Sequence, residues 1–227
     1  MSELRELAER AGRELEEAPA QEILRWAAET FGERLCVTAS MADAVVAHLA
    51  ARVRPGIDVL FLDTGYHFPE TIGTRDAVAA VMDVTVVTLT PRQSVAEQDA
   101  AYGPRLHERD PDLCCRLRKV EPLRAGLAGY DAWATGLRRD ESPTRAHTPV
   151  VGWDARRHKV KVAPIARWTQ ADVDAYVAEH GVLVNPLLMD GYASVGCAPC
   201  TRRTAAGEDV RAGRWSGTGK TECGLHG

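Results

Sequence analysis

Two runs decide the fold: Leu35-Cys36-Val37-Thr38-Ala39-Ser40-Met41-Ala42-Asp43 and Ile57-Asp58-Val59-Leu60-Phe61-Leu62-Asp63-Thr64-Gly65. Each is a short apolar stretch ending in turn residues, the pattern of a buried strand. Ser40 or Asp43 caps a helix through about Val53 between them. Asp63-Thr64-Gly65 closes the second strand with a turn. Outward from there, Pro69 to Met82 reads as a helix, Val84 to Leu89 as a third strand and Tyr130 to Thr135 as a fourth. Strand and helix alternate with short connections, which predicts a parallel sheet flanked by helices on both faces.

Residues 3 to 31 read as one or two amphipathic helices with Leu4, Leu7, Ala11 and Leu15, then Ile23, Leu24, Ala27 and Phe31, at helical spacing, and Pro19 marks the break. Val150 to Trp153 and Lys159 to Val162 flank a polar stretch and form a hairpin or edge strands. Thr169 to His180 is a helix, with Thr169 as N-cap, Asp172 at N3 and Gly181 after the last turn. Beyond Cys200 the pattern decays into a Gly-rich stretch with few large apolar groups. The expected organisation is an α/β domain over 1–203, with N-terminal helices in 1–34, and a mobile tail over 204–227.

Apolar residues make up 45% of the 227 and charged residues 26%, an ordinary balance for a globular chain. The net charge of −4 gives no reason to expect nucleic acid as a partner. Basic residues are clustered instead: Arg116, Arg118 and Lys119; Arg138 and Arg139; Arg156 to Lys161; Arg202 and Arg203; Arg211 and Arg214. Scattered clusters suit a small anion better than a duplex. No apolar run approaches a membrane span, and the charged N-terminus lacks the apolar core of a signal peptide. The expected location is cytoplasmic, where thiols stay reduced and clustered cysteines bind metal or do redox chemistry rather than form disulfides. The sequence is compatible with a homo-oligomer and does not specify one.

In doubly wound sheets, ligands bind at the carboxyl ends of the strands. Three segments fall there: Ser40-Met41-Ala42-Asp43, Leu62-Asp63-Thr64-Gly65, and Thr135-Gly136-Leu137-Arg138-Arg139-Asp140-Glu141-Ser142. The first is a strand-to-helix turn whose N–H groups can hold an anion. The third adds two arginines and a hydroxyl suited to phosphate or sulfate. A turn with Ser and Asp more often only caps a helix, so the three count together, not singly.

Five of the six cysteines form a pattern. Cys114 and Cys115 are adjacent, Cys197 and Cys200 form a C-x-x-C pair, and Cys223 stands near the chain end. Four thiols in two pairs can bind zinc or an iron–sulfur cluster. Adjacent side chains diverge, which is awkward around one ion and natural around a cubane with separate irons, so [4Fe–4S] is favoured over zinc. Lys119 would share the helix face of the adjacent cysteines and balance an anionic cluster. Cys36, in an apolar strand, is a structural thiol. Cys223 has few apolar neighbours, and Arg211, Arg214 and Lys220 could lower its pKa, so it reads as a nucleophile.

Together these residues resemble the iron–sulfur adenylyl-sulfate (APS) reductases of the PAPS/APS reductase family, from Leu35 to His226. The specific parts are Cys114-Cys115 with Cys197-x-x-Cys200, Trp133-Ala134-Thr135-Gly136 with Arg138-Arg139-Asp140-x-Ser142, and Glu222-Cys223-Gly224-Leu225-His226. The resemblance implies an adenine-nucleotide α-hydrolase-like (Rossmann-like) fold. It implies that Cys223 attacks the sulfur of APS, releases AMP and forms an S-sulfocysteine, from which thioredoxin or a similar dithiol frees sulfite, in sulfate assimilation and cysteine biosynthesis. It assigns Cys114, Cys115, Cys197 and Cys200 to a [4Fe–4S] cluster and Lys119 to the space between cluster and substrate. Ser40 and Asp43 match the pyrophosphate loop, Asp63, Thr64, Gly65, Gly136 and Arg138 the nucleotide pocket, and Arg211 and Arg214 tail arginines that close over substrate. Two departures stand out: the pyrophosphate loop has no glycine, which argues against ATP cleavage, and Arg214 to Cys223 is short. Phosphoadenylyl sulfate (PAPS) as substrate is the near alternative, and a non-enzymatic iron–sulfur redox sensor is the distant one.

Overall fold

The structure is a computed structural model that describes residues 3–218, 220 and 222–225. His226, the last residue of the terminal motif, lies outside the described residues. The chain runs α1 (Glu3–Glu14), α2 (Ala20–Phe31), β1 (Leu35–Ala39), α3 (Val45–Val53), β2 (Ile57–Leu62), α4 (Pro69–Val81) and β3 (Val84–Leu89). It continues through α5 (Val95–Tyr102), α6 (Leu106–Arg109), α7 (Pro111–Cys115), a π-helical turn (Arg116–Val120), α8 (Glu121–Gly126), β4 (Ala132–Thr135), β5 (Val151–Asp154), β6 (Lys159–Val162) and α9 (Gln170–His180).

The six strands form one sheet in the order β3-β2-β1-β4-β6-β5. Every pairing is parallel except β5 on β6, so the expected parallel sheet carries one antiparallel edge hairpin. Chain order reverses between β1 and β4, and the crevice at such a switch point is where a doubly wound sheet binds ligands. The fourth strand starts two residues later than its apolar run, at Ala132, because a 3₁₀ turn at Leu127–Gly129 consumes the approach.

The main core lies on one face of the sheet. Ile23, Leu24 and Ala27 of α2 and Val45, Ala47 and Leu49 of α3 pack there on Val37, Val59 and Ala134. The opposite face is covered by α8, whose Leu123 joins Leu127, Leu60, Trp133 and Cys36. Cys36 is fully buried and burial pushes its thiol well up, as suits a structural residue. Thr169 accepts from the N–H of Asp172 in a reciprocal capping box, and Gly181 ends α9 in the left-handed region at φ 60°.

Helix α1 crosses the edge hairpin so closely that a Cβ on Gly12 would lie 2.3 Å from the Val151 carbonyl oxygen. Backbone cannot yield as a side chain does, so Gly12→Ala forces α1 off β5. The expected cost is about 1–3 kcal/mol, a fall in Tm of roughly 2–12 °C for a chain of this size. Differential scanning calorimetry of the variant checks it, and an unchanged Tm would contradict the contact.

Candidate active site and thiol centre

The helical segment from α7 through the π turn carries the first thiol pair. Asp110 accepts from the Leu113 N–H at 2.9 Å and Pro111 opens the helix, so Cys114 and Cys115 sit in a capped first turn. The π turn that follows widens the helix, a feature frequent at functional sites. Along it, Cys114, Cys115, Arg118 and Lys119 all line one pocket. Cys197, Pro199 and Cys200 enter from the other side on a loop anchored by Ala198 N–H to the Tyr66 carbonyl, 2.7 Å. Tyr66, His107 and Trp215 complete the lining.

The electrostatics of the pocket are concentrated in Lys119 and Cys197. Burial would pull the Lys119 ammonium down, but the thiols of Cys197, Cys223 and Cys115 outweigh burial and Arg214 and push it up to about 12. Burial pushes Cys197 up, yet Lys119, the Thr64 hydroxyl at 3.2 Å and Arg214 bring it below the ordinary thiol value. As bare thiols the other three resist ionisation. Burial and the neighbouring sulfurs hold Cys114 at about 12 and Cys200 at about 11, and burial raises Cys115. Three buried thiols and the half-buried Cys200, which repel one another's charge, need a multivalent cationic partner to ionise together.

The residues fit an iron–sulfur group. The donor set is four thiols that line one pocket, and none of the six cysteines is in a disulfide. The Trp215 indole N–H is buried at the pocket wall with no partner among the described residues, and so is His107 Nδ1. A buried unpaired donor is costly unless a ligand accepts from it.

Arg118, which the sequence shows only as one member of a basic cluster, takes a specific place here. It is buried, donates to the Thr64 carbonyl and to Gln98 Oε1 at 3.0 Å, and lies 5.2 Å from the Tyr66 ring centroid. Its guanidinium explains Gly65: φ is +70°, and a Cβ would sit 3.1 Å from Arg118 Nη2. Thr64, expected in the nucleotide pocket, thus faces the thiols. Asp63 accepts from the Gly65 N–H at 3.0 Å and lies 3.8 Å from Arg75.

At the switch point, Ser40 is exposed just past β1, and Asp43 accepts from the Val45 N–H at 3.0 Å. Burial raises the Asp43 carboxyl, while that hydrogen bond and Arg138 oppose the rise. Arg138 is buried; it donates to Gln170 Oε1 at 2.6 Å, and its Nη1 has no hydrogen-bond partner among the described residues. Gly136 stands beside them, where a Cβ would make only ordinary contact with Val46. Arg139 points elsewhere, into a bidentate pair with Glu16 at 2.7 and 3.0 Å, so it braces the α1–α2 link. A residue the sequence reading missed, Asn185, is fully buried and holds the loop by donating from Nδ2 to the Met41 carbonyl at 3.0 Å and from its backbone N–H to the Ala42 carbonyl at 2.9 Å.

The tail folds back onto this centre. Thr201 and Arg214 pair as an isolated bridge, and Trp215 N–H reaches the Cys200 carbonyl at 3.1 Å. Arg214 lies against Gly196, 4.6 Å from the Trp215 ring centroid, and donates to the Val195 carbonyl at 3.2 Å. Arg211 pairs with Glu222 at 3.1 Å. Cys223 is half-buried and near enough for its charge to act on Lys119 and Cys115.

An open α/β sheet with a buried arginine at its switch point, joined to a four-thiol pocket and a returning cysteine, defines a nucleotide-binding protein with a thiol centre. Residues 34–203 match the phosphoadenosine phosphosulfate reductase domain family. An adenosine 5'-phosphosulfate reductase of Streptomyces coelicolor is 79% identical over 99% of this chain and 95% of its own length. The enzyme of the same name from Mycolicibacterium smegmatis is 59% identical over the same shares. The crystal structure of a Candida auris phosphoadenylyl-sulfate reductase, a phosphate complex, aligns with TM-score 0.75 and 30% identity over 89% of this chain and 99% of that one. The chain belongs to the phosphoadenosine phosphosulfate reductase family and is an oxidoreductase.

A Cβ at Gly196 would fall 2.0 Å from Arg214 Nη2. The clash is with the end of a flexible side chain, so Gly196→Ala should leave Tm nearly unchanged while displacing Arg214. The expected result is a rise of about tenfold or more in KM, the worth of one charge-assisted contact. Steady-state kinetics beside a melting curve checks it; a wild-type KM would show that the position of Arg214 does not matter.

Proposed function

We propose that this protein reduces adenosine 5'-phosphosulfate to sulfite and AMP, with Cys223 as nucleophile and an external dithiol as electron source. The observation that carries the reading is the convergence of Cys223 on Lys119 beside four grouped thiols, supported by 79% identity to a protein named for this reaction.

The Cys223 thiolate attacks the sulfur of the substrate's sulfate group. A sulfur–sulfur bond forms, the bridging sulfur–oxygen bond breaks, and AMP departs with that electron pair. One thiolate of thioredoxin or a similar dithiol then attacks the Cys223 sulfur. Sulfite leaves with the bonding pair, and the second thiol resolves the mixed disulfide and restores Cys223. The two electrons come from the dithiol.

Attack by a thiolate on a group ringed by anionic oxygens needs fixed cations. Lys119, Arg211 and Arg214 supply them around the sulfate, and Arg138 with Asp43, Ser40 and Gly136 holds the nucleotide end. Asp63, Thr64 and Gly65 shape the pocket between the two. Cys114, Cys115, Cys197 and Cys200 would hold a [4Fe–4S] cluster, which would supply a fixed charge beside Lys119. No helix among the described residues is long and apolar enough to cross a membrane. The proposed site of action is the cytoplasm, where free thiols stay reduced.

Incubation with adenosine 5'-phosphosulfate and no reductant should leave a sulfonate-sized adduct on Cys223, located by peptide mass. Cys223→Ser should form neither adduct nor sulfite, and normal sulfite release by that variant would end the proposal. Lys119→Ala should lower kcat/KM by about 10²–10³-fold, the usual loss for one donor aimed at developing charge. Kinetics with the 3'-phosphorylated nucleotide tests specificity, and a preference for it would overturn the choice of substrate.

A further inference from the structure

Three anchors surround Cys223. Upstream, Lys220 pairs with Asp112, two residues before Cys114. Downstream, Leu225 packs on the patch of Cys36, Leu60, Leu123, Leu127 and Trp133, while Gly224, at φ +76°, lies over the π turn near Val120. The strongest anchor by chemistry is Glu222. Its carboxylate takes two parallel hydrogen bonds from Arg145, Nε to Oε1 and Nη2 to Oε2, both at 2.9 Å. Arg211 Nη2 adds a third at 3.1 Å and the Thr144 hydroxyl a fourth at 3.3 Å.

Arg145 is well placed to act as a fixed post. Its side chain is only 11% exposed, and Nη1 is held at 2.5 Å by Glu141, which also accepts from the Arg138 N–H at 3.1 Å. The post is therefore tied to the loop after β4, at the sheet's switch point. Burial would raise the Glu222 carboxyl, and the two arginines outweigh it. A bidentate pair in a partly buried setting is the strong form of ion pair, unlike the solvated pair Arg5–Glu9 on α1.

We propose that Glu222 is a latch: its ion pair with Arg145 and Arg211 holds the tail in the docked position that presents Cys223 to Lys119, and breaking it is the step that exposes Cys223 to an incoming dithiol. Glu222 is a positioning residue, acting through where it puts its neighbour. The inference rests on the proposed role of Cys223 as nucleophile, but the latch itself is a property of the resting protein and is tested without substrate.

The readout is the rate at which iodoacetamide alkylates Cys223 in the full chain with its metal centre loaded, followed by peptide mass at fixed pH. Glu222→Gln should alkylate about tenfold faster, the change that losing one charge-assisted contact of about 1.4 kcal/mol brings. Arg145→Gln should also alkylate faster. This pairing separates a latch from a simple field effect. Removing a negative neighbour lowers the thiol's pKa and removing a positive one raises it, so a field effect moves the two variants in opposite directions. In the wild-type protein, raising NaCl should speed alkylation as the pair is screened, and the same salt should act less on Glu222→Gln, where, of the anchors around Cys223, only the Lys220–Asp112 pair is left to screen. Glu222→Asp should restore part of the protection. General unfolding would expose Cys36 as well, so Cys36 labelling is counted in every sample and should not change. Wild-type alkylation rates in Glu222→Gln, opposite responses of the two variants, or a wild-type rate indifferent to salt would overturn the latch. If the latch results hold and no sulfonate adduct ever forms with adenosine 5'-phosphosulfate, the functional reading fails and the latch stands.

Discussion

The structure turns on a buried ammonium. Lys119 is almost wholly out of water, and an unpaired charge in that position would cost several kcal/mol. It stays charged because three sulfurs surround it, and Cys197 in turn ionises readily because Lys119 and the Thr64 hydroxyl are there. Neither group is stable in its charged form without the other. Thr64 comes from the end of β2, Lys119 from the π turn, Cys197 from the loop after α9, and Cys223 from the tail. One electrostatic knot therefore ties four distant stretches of chain together.

Packing around the knot uses glycine where side chains of the centre need room. Gly65 leaves space for Arg118 and Gly196 leaves space for Arg214. At Gly213 a Cβ would lie 2.4 Å from the Arg202 carbonyl oxygen, where Arg202 N–H meets the Gly213 carbonyl at 2.9 Å. These contacts fold the stretch after Cys200 into a return that brings Arg214 and Trp215 against the second thiol pair. Many glycines and few large apolar groups read, in sequence, as a mobile tail. In space the same residues make close backbone approaches, and the large groups present, Trp215 and Leu225, are spent on the thiol pocket and the core patch. Cys223 reaches Lys119 despite the short run from Arg214, because the return starts at the pocket wall.

The sheet was legible because its strands are apolar runs of the right length between turn residues, and Leu35–Ala39, Ile57–Leu62 and Val84–Leu89 occur with the bounds the runs suggest. The segment 90–129 was not, since α6 and α7 span four and five residues and cannot show a helical period. The thiols were legible as a group because cysteines are rare and their spacing is informative. Arg118, Trp215 and His107 were not, because nothing local separates a buried arginine or an aromatic wall from a surface one. Their roles depend on neighbours such as Gln98 and Pro199, more than fifteen residues away in sequence. Arg139 shows the converse: it sits in a basic pair that looks like an anion site, and the partner that claims it is Glu16.

The loop after β1 illustrates how a binding turn is built without glycine. Met41 takes φ 60°, a region that favours glycine, and its side chain is fully buried. Such a conformation costs of order 1 kcal/mol and persists only if the surroundings impose it. Here Asn185 imposes it through the Met41 and Ala42 carbonyls, with Thr71 accepting the remaining amide proton at 3.1 Å. Burying the Met41 side chain offsets the strain. The Met41 and Ala42 carbonyls are thus held on Asn185, while the Ala44 N–H goes to the Leu183 carbonyl at 3.0 Å and the Val45 N–H to Asp43 at 3.0 Å. A glycine loop reaches that arrangement by flexibility and can wrap a long phosphate chain. A loop clamped by Met41 and Asn185 has one shape, with Asp43 directly beside it and Arg138 across the crevice. With its carbonyls fixed on Asn185 and the following N–H groups on Leu183 and Asp43, the turn holds its shape without glycine.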